Sequence, residues 1–445
     1  MPFEIDIAWY ISVFGAVIAV FFAYICILVF WKEMARIISE TGVFSDLKAV
    51  EWIVYGLLFS AHLIMVCFSF AHSDAFYGTE FFYDIIYTSD SPILVKGDVY
   101  IVFNHPENDL RQPLFAIFAS PFVGIAYLIS RLVGATPTVE AILVNSVQVA
   151  MLFVAHFMLA KMMKLNHKKR ICFMLLTSFT YMQLLFTLMM EQYVVAYCWL
   201  IFCIYLIANK PQPNRIALWG AGGTLLTSMI LLPLMSSKSP IKNFKSWVID
   251  MVKYGLEFAT LIFVFCRFDV IFNLLKNASS LSSFAGGNVA LKDKLFQYLA
   301  FIHNCFTAPK AGVRIATDGR TSWQMYQILE IDVVGIVIFA LVLISVIWNR
   351  NKKSSLLAGY WVGFSVIMLF SLGWGTKENG LILYALYFGW AFLVLLFQLV
   401  EKIEDKLNIK FLVPVFSIGC SVVLAVVNIP AIMEMVNFAI TYFPV

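Results

Sequence analysis

"MEQYVVAYCWLIFCIYLI", residues 190–207, sets one acid, Glu191, ahead of an apolar run (192–209) that contains no Asp, Glu, Lys, Arg or His. A helix needs about 20 apolar residues to cross a hydrocarbon core of about 30 Å, and this run approaches that length. Runs of the same kind recur near 8–30, 52–71, 139–160, 171–189, 215–235, 248–271, 331–348, 356–373, 381–400 and 411–435. The 445 residues are 61% hydrophobic, 16% aromatic and only 13% charged, with a mean hydropathy of +0.86. Such a composition lies far from that of soluble domains. The expected fold class is therefore all-α: a polytopic bundle of about eleven transmembrane helices forming a single integral-membrane domain, 1–445.

The net charge of +4 is small, and Lys and Arg gather between apolar runs ("KMMKLNHKKR", "NRNKKSS") instead of forming one basic face. They read as topology signals, and nucleic acid is excluded as a partner class. The eight Cys fall mostly inside apolar runs, with no CxxC pair and no Cys/His spacing suited to zinc. The first run follows "MPFEID", which lacks a basic n-region, and is too long for a signal-peptide core, so it reads as a span.

The positive-inside rule puts "KMMKLNHKKR", "KPQPNR", "SSKSPIKNFKSW" and "NRNKKSS" inside. The loops of 72–138 and 272–330, with "GTKENG", then face outward. Both "KPQPNR" and "SSKSPIKNFKSW" belong inside, yet one apolar run separates them. That run carries Gly220, Gly222, Gly223 and Pro233, so a broken helix that turns back within the protein restores parity. Residues 113–132 are apolar but hold Pro121 and Arg131, which predicts an interfacial or re-entrant helix at the outer surface.

Ionisable residues near a membrane face a partner or a wet cavity. Asp84, Asp90 and Asp98 follow the helix ending near Ala71, and partial desolvation there would raise a carboxyl pKa toward that of a general base. Solvating a surface loop is the plainer role for any one of them. "HPENDLRQPLF" (105–115) adds His105, Glu107, Asp109 and Arg111. Arg111 and Arg131 can grip phosphate bidentately or snorkel to headgroups. Glu191 sits at a tight hairpin, and Lys377 with Glu378 in a short outer turn; each is a substrate-binding candidate or a solvated turn. No second His lies at ligand spacing from His105. Aspartates alone could hold a hard divalent cation such as Mg²⁺ or Mn²⁺; no metal ligand set is assigned.

The order of these features resembles the GT-C superfamily of integral-membrane glycosyltransferases, in its protein mannosyltransferase and aminoarabinose transferase branch. The element similar to that branch's "HPLF" reads "RQPLF" (Arg111 to Phe115), with the His displaced to His105, and the helix after Glu191 is similar to one that follows a Glu in the family. The resemblance covers about residues 55–210 and, more loosely, "GTKENGLILYALYFGWAF". It implies a polyprenyl-phosphate-linked sugar donor, an acceptor hydroxyl on a glycan, lipid or protein, and a carboxylate base in the first outer loop. By position that base is Asp84 or Asp90, with Asp98, Glu107 and Asp109 behind them. The adjacent acidic pair of some branches is absent, which leaves the base and the metal unassigned. The expected location is a bacterial plasma membrane with the site on its outer face. A polyprenyl-linked glycan polymerase or ligase, for which Arg314 and Arg320 speak, and a transporter or flippase are the competing expectations.

Overall fold

The computed structural model describes residues 28–78, 85–87, 99–101, 111–209, 214–236, 238, 240–265, 285–316, 322–329, 332–376 and 381–445. Residues 28–41 form a helix, α1, within a compact unit of its own, residues 1–47. On α1, Arg36 lies 3.1 Å from Glu40 and also pairs with Glu33.

Residues 48–445 form the second unit. Its helices are α2 (Ala49–His72), α3 (Phe115–Val133), α4 (Pro137–Met162), α5 (His167–Ser178), α6 (Tyr181–Leu188), α7 (Gln192–Asn209), α8 (Arg215–Thr224), α9 (Phe244–Phe265), α10 (Leu291–Asn304), α11 (Val333–Trp348), α12 (Lys353–Ser365), α13 (Ala385–Leu407) and α14 (Leu412–Tyr442). Three stretches wind differently: 3-10 turns at Leu226–Leu234 and Leu381–Tyr384, and a π-helical turn at Val366–Ser371 that continues α12. Strands β1 (Ala311–Ala316) and β2 (Ser322–Gln327) pair antiparallel with Gly312 opposite Tyr326, and Ile86 adds a parallel bridge to Met325.

Helix starts follow local chemistry. The Thr136 side chain accepts the Val139 N–H ahead of Pro137, and the Asn166 and Asn214 side chains accept the Lys169 and Ile216 N–H groups. Each supplies an acceptor to a backbone donor that the helix itself leaves open. α7, and α13 as far as Leu399, are buried at nearly every position, whereas α2 and α14 expose apolar residues such as Leu57, Ile64, Val422 and Val426. A helix that is apolar all round belongs in a core, so α7 and α13 form the centre while α2 and α14 present apolar surface outward. At one end of the bundle Lys169 of α5 lies 2.9 Å from Glu404 and 3.2 Å from Glu401 of α13, and Glu404 also accepts the Val413 N–H opening α14.

Seven described helices are long and apolar enough to cross a membrane, or eight if the bent pair α5 and α6 counts as one span. Several of the eleven expected runs are not among these described helices, in part for physical reasons. Run 171–189 bends by 63° between Ser178 and Tyr181. The described part of run 248–271 falls in α9, which carries Lys245, Asp250, Lys253 and Glu257. Run 331–348 is α11, whose 16 residues span only about 24 Å. Most of run 8–30 lies outside the described residues.

Run 215–235 does break, into α8 and a 3-10 turn packed on it. Met229 lies so near Gly222 that an added Cβ would stand 2.4 Å from its sulfur. The segment expected along the surface, 113–132, is α3, with the length and hydropathy of a span despite Pro121. The expected outer loop 272–330 holds α10, which buries Tyr298, Phe301 and Ile302 in the bundle, and the β1–β2 hairpin.

Candidate functional site

The segment "RQPLF" leads into α3 and is held by the tip of the α8 fold-back. Leu114 N–H donates to Gly223 carbonyl at 2.9 Å, and Leu226 N–H donates to Arg111 carbonyl at 2.8 Å. Gly223 permits this approach: a Cβ there would lie 2.7 Å from Leu114 Cβ. The Trp199 indole of α7 donates to Phe118 carbonyl at 3.0 Å and fixes the first turns of α3 against the core.

This docking closes one side of a cavity of about 290 Å³. Arg111 and Gln112 come from the docked segment, Gln192 and Tyr193 from the start of α7, and Leu225, Leu226 and Thr227 from the fold-back tip. Met368 and Leu369 of the π-helical turn, Trp374, and Tyr384, Tyr387 and Phe388 at the head of α13 complete it. Tyr193 packs edge-on to Tyr384 at 6.0 Å and tilted to Tyr387 at 5.1 Å between ring centroids. Trp374 donates to the Tyr384 hydroxyl at 3.1 Å. Gly375 has a φ of +77° and sits where a Cβ would meet the Tyr384 ring at 2.7 Å, so glycine meets both demands of that turn.

Glu191 borders this wall. It lies in the short link between α6 and α7 and is fully buried, so of its two expected roles the structure excludes the solvated hairpin. Its carboxylate acts electrostatically on Tyr100 and on Tyr387, and Arg111 acts on Tyr387 as well. The Tyr100 hydroxyl receives a hydrogen bond from Gln148 at 2.6 Å. Burial first, and the Glu191 charge second, hold that hydroxyl well above its usual pKa. A cation, an acid, amides and aromatic rings thus meet at one apolar-rimmed hollow, an arrangement that suits a ligand with an anionic end and polar substituents.

Of the residues singled out in the sequence, Arg111 lines the cavity and Glu191 adjoins it. Arg131 does not: it stands at the far end of α3, roughly 24 Å along the helix from Phe115, exposed and 3.6 Å from Glu140. Ser130 donates to the same Glu140 carboxylate. Asp84, Asp90, Asp98, His105, Glu107, Asp109, Lys377 and Glu378 lie outside the described residues, as does Arg320. Arg314 hydrogen-bonds Gln324 at 2.8 Å and lies over the Tyr326 ring within the hairpin. Among the described residues no three His, Cys, Asp or Glu side chains come together, and the aspartates considered for a divalent cation are not among them.

A search for charge passed over Gln192, Tyr193, Trp374, Tyr384 and Tyr387, because none carries one. The usable signal was local: Gln192 follows Glu191 directly, and Trp374 and Tyr384 flank Lys377 in the sequence. Comparisons with known protein families, with characterised proteins and with solved structures return no match.

Proposed function

We propose that this chain is a membrane glycosyltransferase that moves a sugar from a polyprenyl-phosphate-linked donor to an acceptor hydroxyl, with inversion, at the outer face of a bacterial plasma membrane. The observation that carries the reading is the meeting of Arg111 with an aromatic and amide wall in a hollow whose remaining lining, Thr227 apart, is apolar. Arg111 receives the lipid phosphate, the aromatic wall receives the sugar, and Leu225, Leu226 and Met368 face the first isoprene units. The acceptor oxygen bonds to the anomeric carbon as the bond to the phosphate oxygen breaks. The electron pair leaves with the lipid phosphate beside Arg111, and the acceptor proton passes to a carboxylate, for which Asp84 and Asp90 lead, ahead of Asp98, Glu107 and Asp109. Glu191, buried beside the wall, sets the field in which the hydroxyls of that wall act.

The test is transfer of radiolabelled sugar from a panel of polyprenyl-phosphoryl donors by purified protein in lipid, comparing wild type with Arg111→Ala, Asp84→Asn and Asp90→Asn. Transfer that falls with Arg111→Ala and is abolished by one aspartate substitution supports the reading. Full activity in both aspartate variants together removes them as the base.

A second reading, a transporter or lipid flippase, draws on one observation: the tip of a broken, folded-back helix lines the cavity. Transporters build midplane sites from such segments. Uptake or lipid translocation by reconstituted vesicles, with no transfer from any donor, would establish it in place of the transferase.

A further inference from the structure

Gln112 and Gln192 lie on two different elements, one just before α3 and one opening α7, and both line the cavity. Gln112 is 4% exposed and Gln192 8%. The Oε1 atom of each is buried with no hydrogen-bond partner among the described residues. A buried amide carbonyl left unpaired costs about 1–3 kcal/mol, and in a helical membrane bundle bulk water does not reach it to make good the loss. Both residues line one hollow, and a ligand that supplies its own donors would satisfy amides turned toward it.

We infer that Gln112 and Gln192 are the specificity-determining pair of this cavity, each amide taking one hydroxyl of a single sugar ring. The inference rests on the lipid-linked donor proposed above. Hydroxyls suit the task because each can both donate and accept, so the pairing holds whichever way an amide is turned. The Tyr193 and Tyr387 rings offer apolar faces to the sugar's C–H surface while their hydroxyls stay on the polar side.

Size and charge limit the ligand further. The cavity, about 290 Å³, is at the lower end of small-ligand sites, which run from about 300 to 1,000 Å³. It holds one ring with its phosphate and not an oligosaccharide. Among the described lining residues Arg111 is the one that carries a charge, and it complements one phosphate.

The experiment measures binding, not turnover, to the purified full chain in lipid nanodiscs, by native mass spectrometry and intrinsic tryptophan fluorescence. The probes are undecaprenyl phosphate, its hexosyl form and a deoxyhexosyl form. Wild type is expected to bind the hexosyl lipid at least about tenfold more tightly than the bare or deoxy lipid, in line with one or two net hydrogen bonds. Gln112→Leu and Gln192→Leu should each reduce that preference, read as the ratio of hexosyl-lipid to bare-lipid affinity within the same variant. The deoxyhexosyl comparison uses wild type alone, so it stands if a variant fails to fold. Folded variants that keep the hexosyl preference, or a wild type that binds the deoxyhexosyl lipid as tightly as the hexosyl one, overturn the inference while the lipid-phosphate reading stands. A wild type that binds none of these lipids overturns both.

Discussion

Arg170 of α5 grips Glu51 of α2 with both ends of its guanidinium: Nε stands 2.7 Å from Oε1 and Nη2 2.9 Å from Oε2, with both side chains buried. Glu51 also accepts the Lys48 N–H at 3.0 Å and the Tyr55 hydroxyl at 3.2 Å. The pair joins the first turns of two helices far apart in sequence, and each carboxylate oxygen accepts two hydrogen bonds. Bidentate geometry with further hydrogen bonds is the condition under which buried charges repay their desolvation.

Removing one partner leaves the other charge buried alone. Glu51→Ala and Arg170→Ala are each expected to destabilise the folded protein by about 3–5 kcal/mol, read as a fall in thermal unfolding temperature in a fixed lipid or detergent. Glu51→Leu with Arg170→Met should cost less than the sum of the single losses. Additive single and double effects would show that the two residues are not coupled.

Gly223→Ala tests the docking of the "RQPLF" segment. Its new methyl would meet Leu114 Cβ, and overpacking of this kind costs about 1–3 kcal/mol. The larger expected effect is loss of ligand binding, since the displaced segment carries Arg111 and Gln112 out of the wall. Leu114→Ala on the same background should recover part of the binding. Unchanged affinity in Gly223→Ala would mean that the segment does not need this seat.

Arg111→Ala should lower transfer by about 100- to 1,000-fold, the scale of losing a group aimed at developing charge. Arg111→Lys should recover only part, because an ammonium cannot reproduce two parallel hydrogen bonds to phosphate. Equal rates for Lys and Arg at this position would reduce its role to that of a point charge.

Glu191→Gln separates function from scaffold. A buried carboxylate in a membrane bundle is unfavourable for folding, so its amide should leave the unfolding temperature unchanged or higher. Transfer is expected to fall by more than about tenfold with the fold intact. A variant that loses stability but keeps its transfer rate would mark Glu191 as structural.

Periodicity and length made the scaffold legible. The runs that became α2, α4, α7, α13 and α14 stand out because a lipid-facing or fully buried helix has little choice of residue. Charge parity, with Gly220, Gly222, Gly223 and Pro233, pointed to a break in run 215–235. The glycines do more there than bend the chain, seating Trp199, Met229 and Leu114 against bare backbone. Pro121 does not end α3, because it lies where losing one backbone hydrogen bond is tolerated by a helix that packs on α4. The site was only half readable. Arg111 and Glu191 announce themselves by charge, whereas Gln112, Gln192 and the tyrosines look like any other residues of an aromatic-rich chain until the fold brings them together.

Much of the cavity wall departs from regular α-helix: the docked segment at Arg111, the 3-10 turn after Leu225, the π-helical turn holding Met368, and the 3-10 turn ending at Tyr384. Apart from Trp374, which lies in a turn, the remaining wall belongs to α7 and α13, the most enclosed helices of the bundle. Irregular windings have weaker backbone hydrogen bonds than an α-helix, and local opening concentrates where protection is lowest. Amide hydrogens of Leu226–Leu234 and Val366–Ser371 should therefore exchange with solvent deuterium well before those of Val194–Ile207, and a bound lipid should slow the former alone. The hollow can widen and close around its occupant while the central pair of helices keeps still.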